Sequence, residues 1–216
     1  MTNGSILSPR GAAPGKFITL EGIDGAGKSS HVAFVCERVR ALRADPVVTR
    51  EPGGTPAAER LREVVLHSPM GPAAEALAMF AARSDHLAQV IEPALQSGRW
   101  VVCDRFSDAT YAYQCGGRGL AREVVVALER LVHPRLQPDA TFLFDLDPAM
   151  AYERQRAQSR EPDKFEREAE DFFRRVRDAY LERARDHAGR FHVIDASGSI
   201  DEVRARLAAA FAKAFA

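Results

Sequence analysis

The residues Gly22-Ile23-Asp24-Gly25-Ala26-Gly27-Lys28-Ser29 read G-x-x-x-x-G-K-[ST], preceded by an apolar run and followed by a helical stretch, the context that this motif requires. Glycines clear side chains away, so that successive backbone N–H groups can turn inward toward phosphate oxygens. The helix after Gly27 adds the positive end of its dipole. Lys28 is placed to reach β and γ phosphates, Ser29 to ligate Mg²⁺, and Ser30 continues the same nucleotide-binding run. A second element fits beside it. The apolar segment Trp100-Val-Val-Cys ends in Asp104, a carboxylate for a Mg²⁺ hydration shell, and Arg105 follows at once.

The cradle implies a nucleoside triphosphate but not its fate. A regulatory GTPase needs a guanine-reading N-K-x-D, which the chain lacks, and its D-x-x-G matches at Asp24 and Asp195 are misplaced, the first inside the loop itself. A phosphotransferase instead needs positive groups spread over a transferring phosphoryl, because this chemistry is mostly positioning and charge stabilisation. Several arginines stand where such groups could be.

The elements that must hold these residues alternate in the manner of an α/β protein. Strand-like runs are Lys16 to Glu21, Pro46 to Thr49, Trp100 to Asp104, Thr141 to Asp145 and Phe191 to Ile194. Their near-continuous apolar character suits a parallel sheet covered on both faces. A helix is expected from near Phe165 to about His187, with Phe165, Ala169, Phe172, Phe173, Val176 and Tyr180 on one stripe, and another over Ile200 to Ala216. Residues 1–15, rich in Gly, Pro and Ala, read as a flexible tail, and no linker divides 16–216 into two domains.

Of 216 residues, 30 are Lys or Arg and 30 Asp or Glu, so there is no net basic field to hold nucleic acid or anionic lipid. No apolar run approaches the roughly 18–20 residues of a membrane span, and no export signal is visible. Cys36, Cys103 and Cys115 are odd in number and lack C-x-x-C spacing, which argues against a disulfide framework or structural zinc and for a reducing, cytoplasmic setting.

Four segments in order, EGIDGAGKSS, VVTREPGGTP, CDRFSDATYAYQCGGRGL and EPDKFEREAEDFFRRVRDAYLE, resemble the bacterial thymidylate kinases, and the likeness runs from about Phe17 to Val203. The resemblance implies a three-layer P-loop nucleoside-monophosphate-kinase-like fold, a five-stranded parallel sheet flanked by helices. It implies transfer of the γ-phosphoryl of ATP to dTMP with Mg²⁺ bridging, giving dTDP for dTTP synthesis, in a homodimer. Asp24 matches the acidic position near the acceptor sugar and phosphate. Arg50, Glu51 and Pro52 match the acceptor loop, which Gly53 and Gly54 shape, and Arg105 the arginine on the acceptor phosphate. Arg83 matches the arginine on the thymine ring, with Phe80 or Met79 against the base; many relatives have Phe where this chain has Met79. Thr110 matches the side chain at the base edge, Tyr113 the ring against the deoxyribose, and Gln114 the end of the AYQ element. Ala109 stands where relatives often carry Ser. Residues 154–166 resemble a lid closing over ATP. Because Gly25, not Arg, follows Asp24, a donor-side arginine must come from that lid, with Arg156 and Arg160 as candidates; relatives usually have Gly at the place of Arg160.

Two other readings compete: a different nucleoside or nucleoside-monophosphate kinase, which would differ at Arg83, Thr110 and Tyr113, and a regulatory ATPase, which no monophosphate would stimulate.

Overall fold

The structure, a computed structural model, describes residues 15–156, 164–165 and 168–216, with only the backbone at 155–156. Residues 1–14 of the expected tail, most of the expected lid, Arg160 and the side chain of Arg156 lie outside the described residues.

Five strands form one sheet in the order β2-β3-β1-β4-β5. They are β1 (Phe17–Glu21), β2 (Pro46–Arg50), β3 (Trp100–Asp104), β4 (Ala140–Asp145) and β5 (Phe191–Asp195), and every adjacent pair is parallel. The apolar runs therefore became strands in the expected places, with ends shifted by a residue. Alternate residues of β1 serve opposite faces, as the pleat requires. Ile18 and Leu20 join Phe142 and Phe144 in one core, whereas Phe17 joins Val101 and Cys103 in another.

Helices cover both cores. After a tight turn at Lys28–His31 the first is α1 (Val32–Ala41), followed by α2 (Pro56–His67) and α3 (Pro72–His86). The chain continues from α3 through a wide turn at Leu87–Ile91 into α4 (Glu92–Gln96); α5 (Ser107–Thr110) likewise runs into a wide turn at Tyr111–Gly117. Then come α6 (Arg122–Val132), α7 (Pro148–Arg156), α8 (Glu170–Asp186) and α9 (Ile200–Ala214). Thr55 caps α2 by accepting from the Ala58 N–H, and Ser199 with Glu202 forms a capping box on α9.

The expected long helix from Phe165 is shorter. Ala169, in extended conformation, is the N-cap of α8, and Glu170 and Asp171 supply its acidic first turn. Phe165 precedes the helix in a turn, yet is buried edge-on to Tyr113, so the apolar stripe was real although the helix did not extend through it.

Asp108, in α5, is fully buried and clamps distant elements. Arg183 Nε of α8 donates to Oδ1 at 2.9 Å, and Arg190, just before β5, donates to Oδ2 at 2.7 Å and to Oδ1 at 2.9 Å. Removing one partner of such a buried group leaves the others uncompensated. Asp108→Asn is expected to lower unfolding free energy by about 3–5 kcal/mol, read from urea denaturation. A loss below about 1 kcal/mol would show that water replaces the clamp.

Candidate active site

The carboxyl ends of β1, β2 and β3 meet where the chain order reverses about β1, the place at which parallel sheets leave a crevice. A cleft of about 700 Å³ opens there, lined by Asp24 to Ser30, Arg50, Asp104 and Arg105. Gly22 and Ile23 are not in its lining; their carbonyls accept from Lys28. Gly22 has φ +139°, and a Cβ on it would stand 2.5 Å from the Phe144 carbonyl oxygen, so only glycine lets the loop pass β4 so closely.

Lys28 is buried, and its ammonium donates to the carbonyls of Gly22 and Ile23 at 3.0 Å each. Burial, then the charge of Arg105, lowers its pKa, against Asp24 and Asp104. Ser29 Oγ donates to Asp104 Oδ2 at 3.3 Å, which joins the two expected metal ligands. The other oxygen, Asp104 Oδ1, is buried without a hydrogen-bond partner among the described residues. An anionic oxygen left thus beside a hydroxyl is a donor set that fits a hard divalent cation.

Arg105 stands at the centre. Its φ of 72° is left-handed, which a bulky residue rarely adopts, and its N–H donates to the Leu20 carbonyl at 3.0 Å. Nη2 donates to Asp24 Oδ1 at 2.7 Å and to the Tyr113 hydroxyl at 3.0 Å, and Nη1 to the Tyr180 hydroxyl at 3.0 Å. Tyr113 in turn donates to Asp24 Oδ2 at 2.8 Å. Burial alone would raise the Asp24 carboxyl, but Arg105, Lys28 and the Tyr113 hydroxyl bring it down to about 2.

Behind this group a smaller cavity of about 80 Å³ is lined by Met79, Arg83, Phe106, Thr110, Tyr113 and Gln114, with Glu51 and Pro52 at its wall. Arg83 Nε donates to Glu51 Oε2 at 2.6 Å and Nη2 to Thr110 Oγ1 at 3.3 Å, while Nη1 is buried without a hydrogen-bond partner among the described residues. His86 meets the other Glu51 oxygen at 3.0 Å. Of the two side chains expected against the base, Met79 lines the cavity. Phe80 does not: it lies in the core, stacked on His133 and 4.4 Å from the Arg83 guanidinium carbon. The helical spacing that brings Met79 to the cavity turns Phe80 about 100° away from it. An aromatic wall comes instead from Phe106, which the sequence shows within the CDRF element but to which it gave no role. Arg50 lines the larger cleft and pairs with Glu59 at 2.9 Å.

Other residues of the site went unread in the sequence. Gly198, Ser199 and Ile200, at the start of α9, also line the large cleft, where Arg154 donates to the carbonyls of Ala196 and Gly198. Glu21, fully buried at the end of β1, accepts from the Phe106 N–H at 2.7 Å and the Tyr180 hydroxyl at 2.8 Å. It thereby backs Arg105 through Tyr180. No motif marks these contacts, since Glu21 and Tyr180 are 159 residues apart in the chain.

The sequence profile of the thymidylate kinase family matches residues 20–207. The chain is 58% identical over 199 residues to the thymidylate kinase of Burkholderia vietnamiensis, covering 90% of this chain and 96% of that protein. It is 58% identical over 195 residues to that of Thiobacillus denitrificans, covering 90% and 95% respectively. Its structure is similar to the crystal structure of thymidylate kinase from Ehrlichia chaffeensis, with TM-score 0.73 and 31% identity over 91% of this chain and 98% of that one.

Burial, then the charge of Asp108, raises the Glu21 carboxyl to about 8, against Arg105, Tyr180 and the Phe106 N–H. The folded chain keeps this proton up to about pH 8, whereas an unfolded glutamate releases it near 4.5, so between those values the folded state binds more protons. Stability from this group is present below 4.5 and declines as pH rises toward 8. Glu21→Gln should flatten that decline in denaturation midpoints measured at successive pH values; an unchanged slope would assign it to another group.

Proposed function

The chain belongs to the thymidylate kinase family, and from that premise we propose how it transfers the γ-phosphoryl of ATP to dTMP, giving dTDP and ADP. The larger cleft takes ATP and the smaller cavity the thymine of dTMP. The observation that carries this assignment is that Asp24, Arg62 and Arg105 line both, so the two phosphate chains meet beside two guanidiniums, of which Arg105 follows Asp104 at the end of β3.

The acceptor phosphate is largely a dianion at neutral pH, with a second pKa near 6, and is already a nucleophile. No base is needed; the work is positioning and electrostatic. Backbone N–H groups from Gly25 to Ser30 and the Lys28 ammonium hold the donor phosphates. Lys28, whose partners are neutral carbonyl oxygens, can exchange them for charged phosphate oxygens, a stronger pairing. Arg105, fixed by three side chains, presents its planar fork to the acceptor phosphate. Asp24, ionised and so an acceptor only, suits a sugar hydroxyl, and Tyr113 lies against the deoxyribose.

Ser29 and Asp104 would hold Mg²⁺, which would neutralise phosphate charge. Arg83, Thr110 and Gln114 read the base edge, with Met79 and Phe106 as its apolar walls. Arg50, Glu51 and Pro52 shape the acceptor loop; Glu51 does so by holding Arg83 and His86. Residues 154–166 form the lid of a single domain spanning 16–216, with 1–15 a tail. Arg156 or Arg160 supplies the donor-side cation that the loop lacks, worth about 10³–10⁵ in rate.

A homodimer is supported by adjacent α3 and α6, which leave Leu77 58% and Leu131 78% exposed. The balanced charge argues against nucleic acid as a partner. No described helix is long and apolar enough to cross a membrane. Use of ATP and the free thiols Cys36, Cys103 and Cys115 fit a cytoplasmic setting.

The decisive test measures ADP release from Mg·ATP with and without dTMP. Lys28→Ala should lower dTMP-dependent turnover by at least about 10²-fold with the fold intact, as electrostatic stabilisers of transferring charge do; retained turnover would remove Lys28 from the donor site. Asp104→Asn should shift the Mg²⁺ titration upward at least tenfold, in the range of about 10–100-fold for a lost metal contact. An unshifted titration would take Asp104 out of the metal shell.

A further inference from the structure

We propose that Glu75 is the positioning residue that fixes the side-chain amide of Gln114 in one orientation and thereby makes the acceptor pocket select a pyrimidine with a carbonyl at C4 and an N–H at N3. The proposal deepens the base-site reading above and rests on it.

Glu75, in the first turn of α3, is fully buried, yet it lies in neither cavity wall. One hydrogen bond and two ion pairs meet on it. Gln114 Nε2 donates to Oε2 at 3.0 Å, Arg118 Nε stands 3.1 Å from the same oxygen, and Lys164 Nζ is 2.9 Å from Oε1. Two cations and an amide N–H meet this one side chain, whose oxygens serve as acceptors. The amide of Gln114 must therefore turn its NH₂ toward Glu75. Its oxygen is left facing away, and Oε1 is buried with no hydrogen-bond partner among the described residues.

Gln114 lines the small cavity, and so does Arg83, whose Nη1 is the second buried polar atom there without such a partner. Glu51 and Thr110 hold the rest of the guanidinium, so its free N–H is as fixed as the amide oxygen. The pocket thus offers one donor and one acceptor that cannot exchange roles. Thymine and uracil carry an acceptor at O4 next to a donor at N3, which complements that pair. Cytosine carries the reverse, a donor at N4 and an acceptor at N3. Either mismatch leaves buried groups unpaired, the most effective way a site rejects an analogue.

The same carboxylate pairs with Lys164, inside the expected lid, and with Arg118. Lys164 also donates from Nζ to the Ser68 carbonyl at 2.9 Å, and Arg118 pairs with Glu168 at 2.8 Å. Phe165, next to Lys164, lines the base cavity.

The experiment compares kcat/KM for dTMP, dUMP and dCMP in the full chain and in Glu75→Gln, Gln114→Leu and the double variant. Glu75→Gln replaces the carboxylate by an amide that accommodates either orientation of Gln114. Its dTMP to dCMP ratio should fall at least about tenfold, mainly through a higher KM for dTMP, since a lost buried hydrogen bond is worth about 10–100-fold. Its dTMP to dUMP ratio should stay unchanged, because both bases present the same edge. In the Gln114→Leu background the Glu75 substitution should change neither ratio further.

A folded Glu75→Gln that keeps the dTMP to dCMP ratio, while Gln114→Leu loses it, overturns the proposal and leaves the base-site reading standing. So does a loss of activity equal for all three acceptors, which marks Glu75 as a packing residue. If Gln114→Leu itself keeps the ratio, the reading of Gln114 fails and the proposal with it. Should Glu75→Gln not fold, Glu75→Asp keeps the charge and withdraws the carboxylate by one methylene, and the same ratios decide.

Discussion

Arg105 is the cation on which the site depends, and much of the structure serves to hold it in one pose. Its backbone is left-handed and tied to β1, and its guanidinium is divided among Asp24, Tyr113 and Tyr180, with Glu21 behind Tyr180. Two polyanionic substrates repel each other, so a kinase for a nucleoside monophosphate must supply positive charge at the point of transfer before the reactants arrive. Dipoles and charges that need not reorganise are worth most there. Asp24 keeps the guanidinium from swinging away, and the two tyrosines locate it without adding negative charge.

The sheet order makes that arrangement possible. β1 lies between β3 and β4, so the Gly-rich loop leaving β1 emerges beside the Asp104-Arg105 pair leaving β3, and Glu51 follows at the end of the neighbouring β2. Groups some 80 residues apart in sequence, such as Asp24 and Arg105, become a hydrogen-bonded pair because parallel strands place successive carboxyl ends along one edge. Gly54 shows how tightly the second strand's loop is drawn in: its φ is +90°, and a Cβ there would stand 2.5 Å from the His86 ring.

What the sequence disclosed follows from the range of the interactions involved. The strands were legible because each is a short apolar run, and the phosphate loop because its spacing is local and chemically specific. Met79 and Phe80 could not be separated by spacing alone; which faces the cavity depends on the rotation of α3 against α6, where Phe80 packs on His133 and beside Val125. Phe106 was overlooked because it follows two charged residues in the chain, and Glu21 because a carboxylate ending a strand reads as exposed unless its distant partner is known. Residues 198–200 carry no charge or glycine pattern that marks a nucleotide site; they reach the cleft because β5 lies next to β4 and α9 packs back beneath His31.

The carboxylates within and behind the site divide into two kinds, and the division bears on how the fold tolerates its site. Asp24, Asp108 and Glu75 each sit against two or more cations or strong donors and hold those groups in place. Glu21 has no cation in direct contact among the described residues; it meets a backbone N–H and a phenol, and its like-charged neighbour Asp108 raises it further. A proton kept there spares the core an uncompensated anion next to the paired Asp108 while leaving Tyr180 in register with Arg105. Burying an unpaired charge costs several kcal/mol, about the whole stability margin of many domains, so a carboxyl that stays neutral can back the catalytic arginine at far smaller cost. Asp24 and Asp104 are left as the carboxylates that face the large cleft beside Arg105.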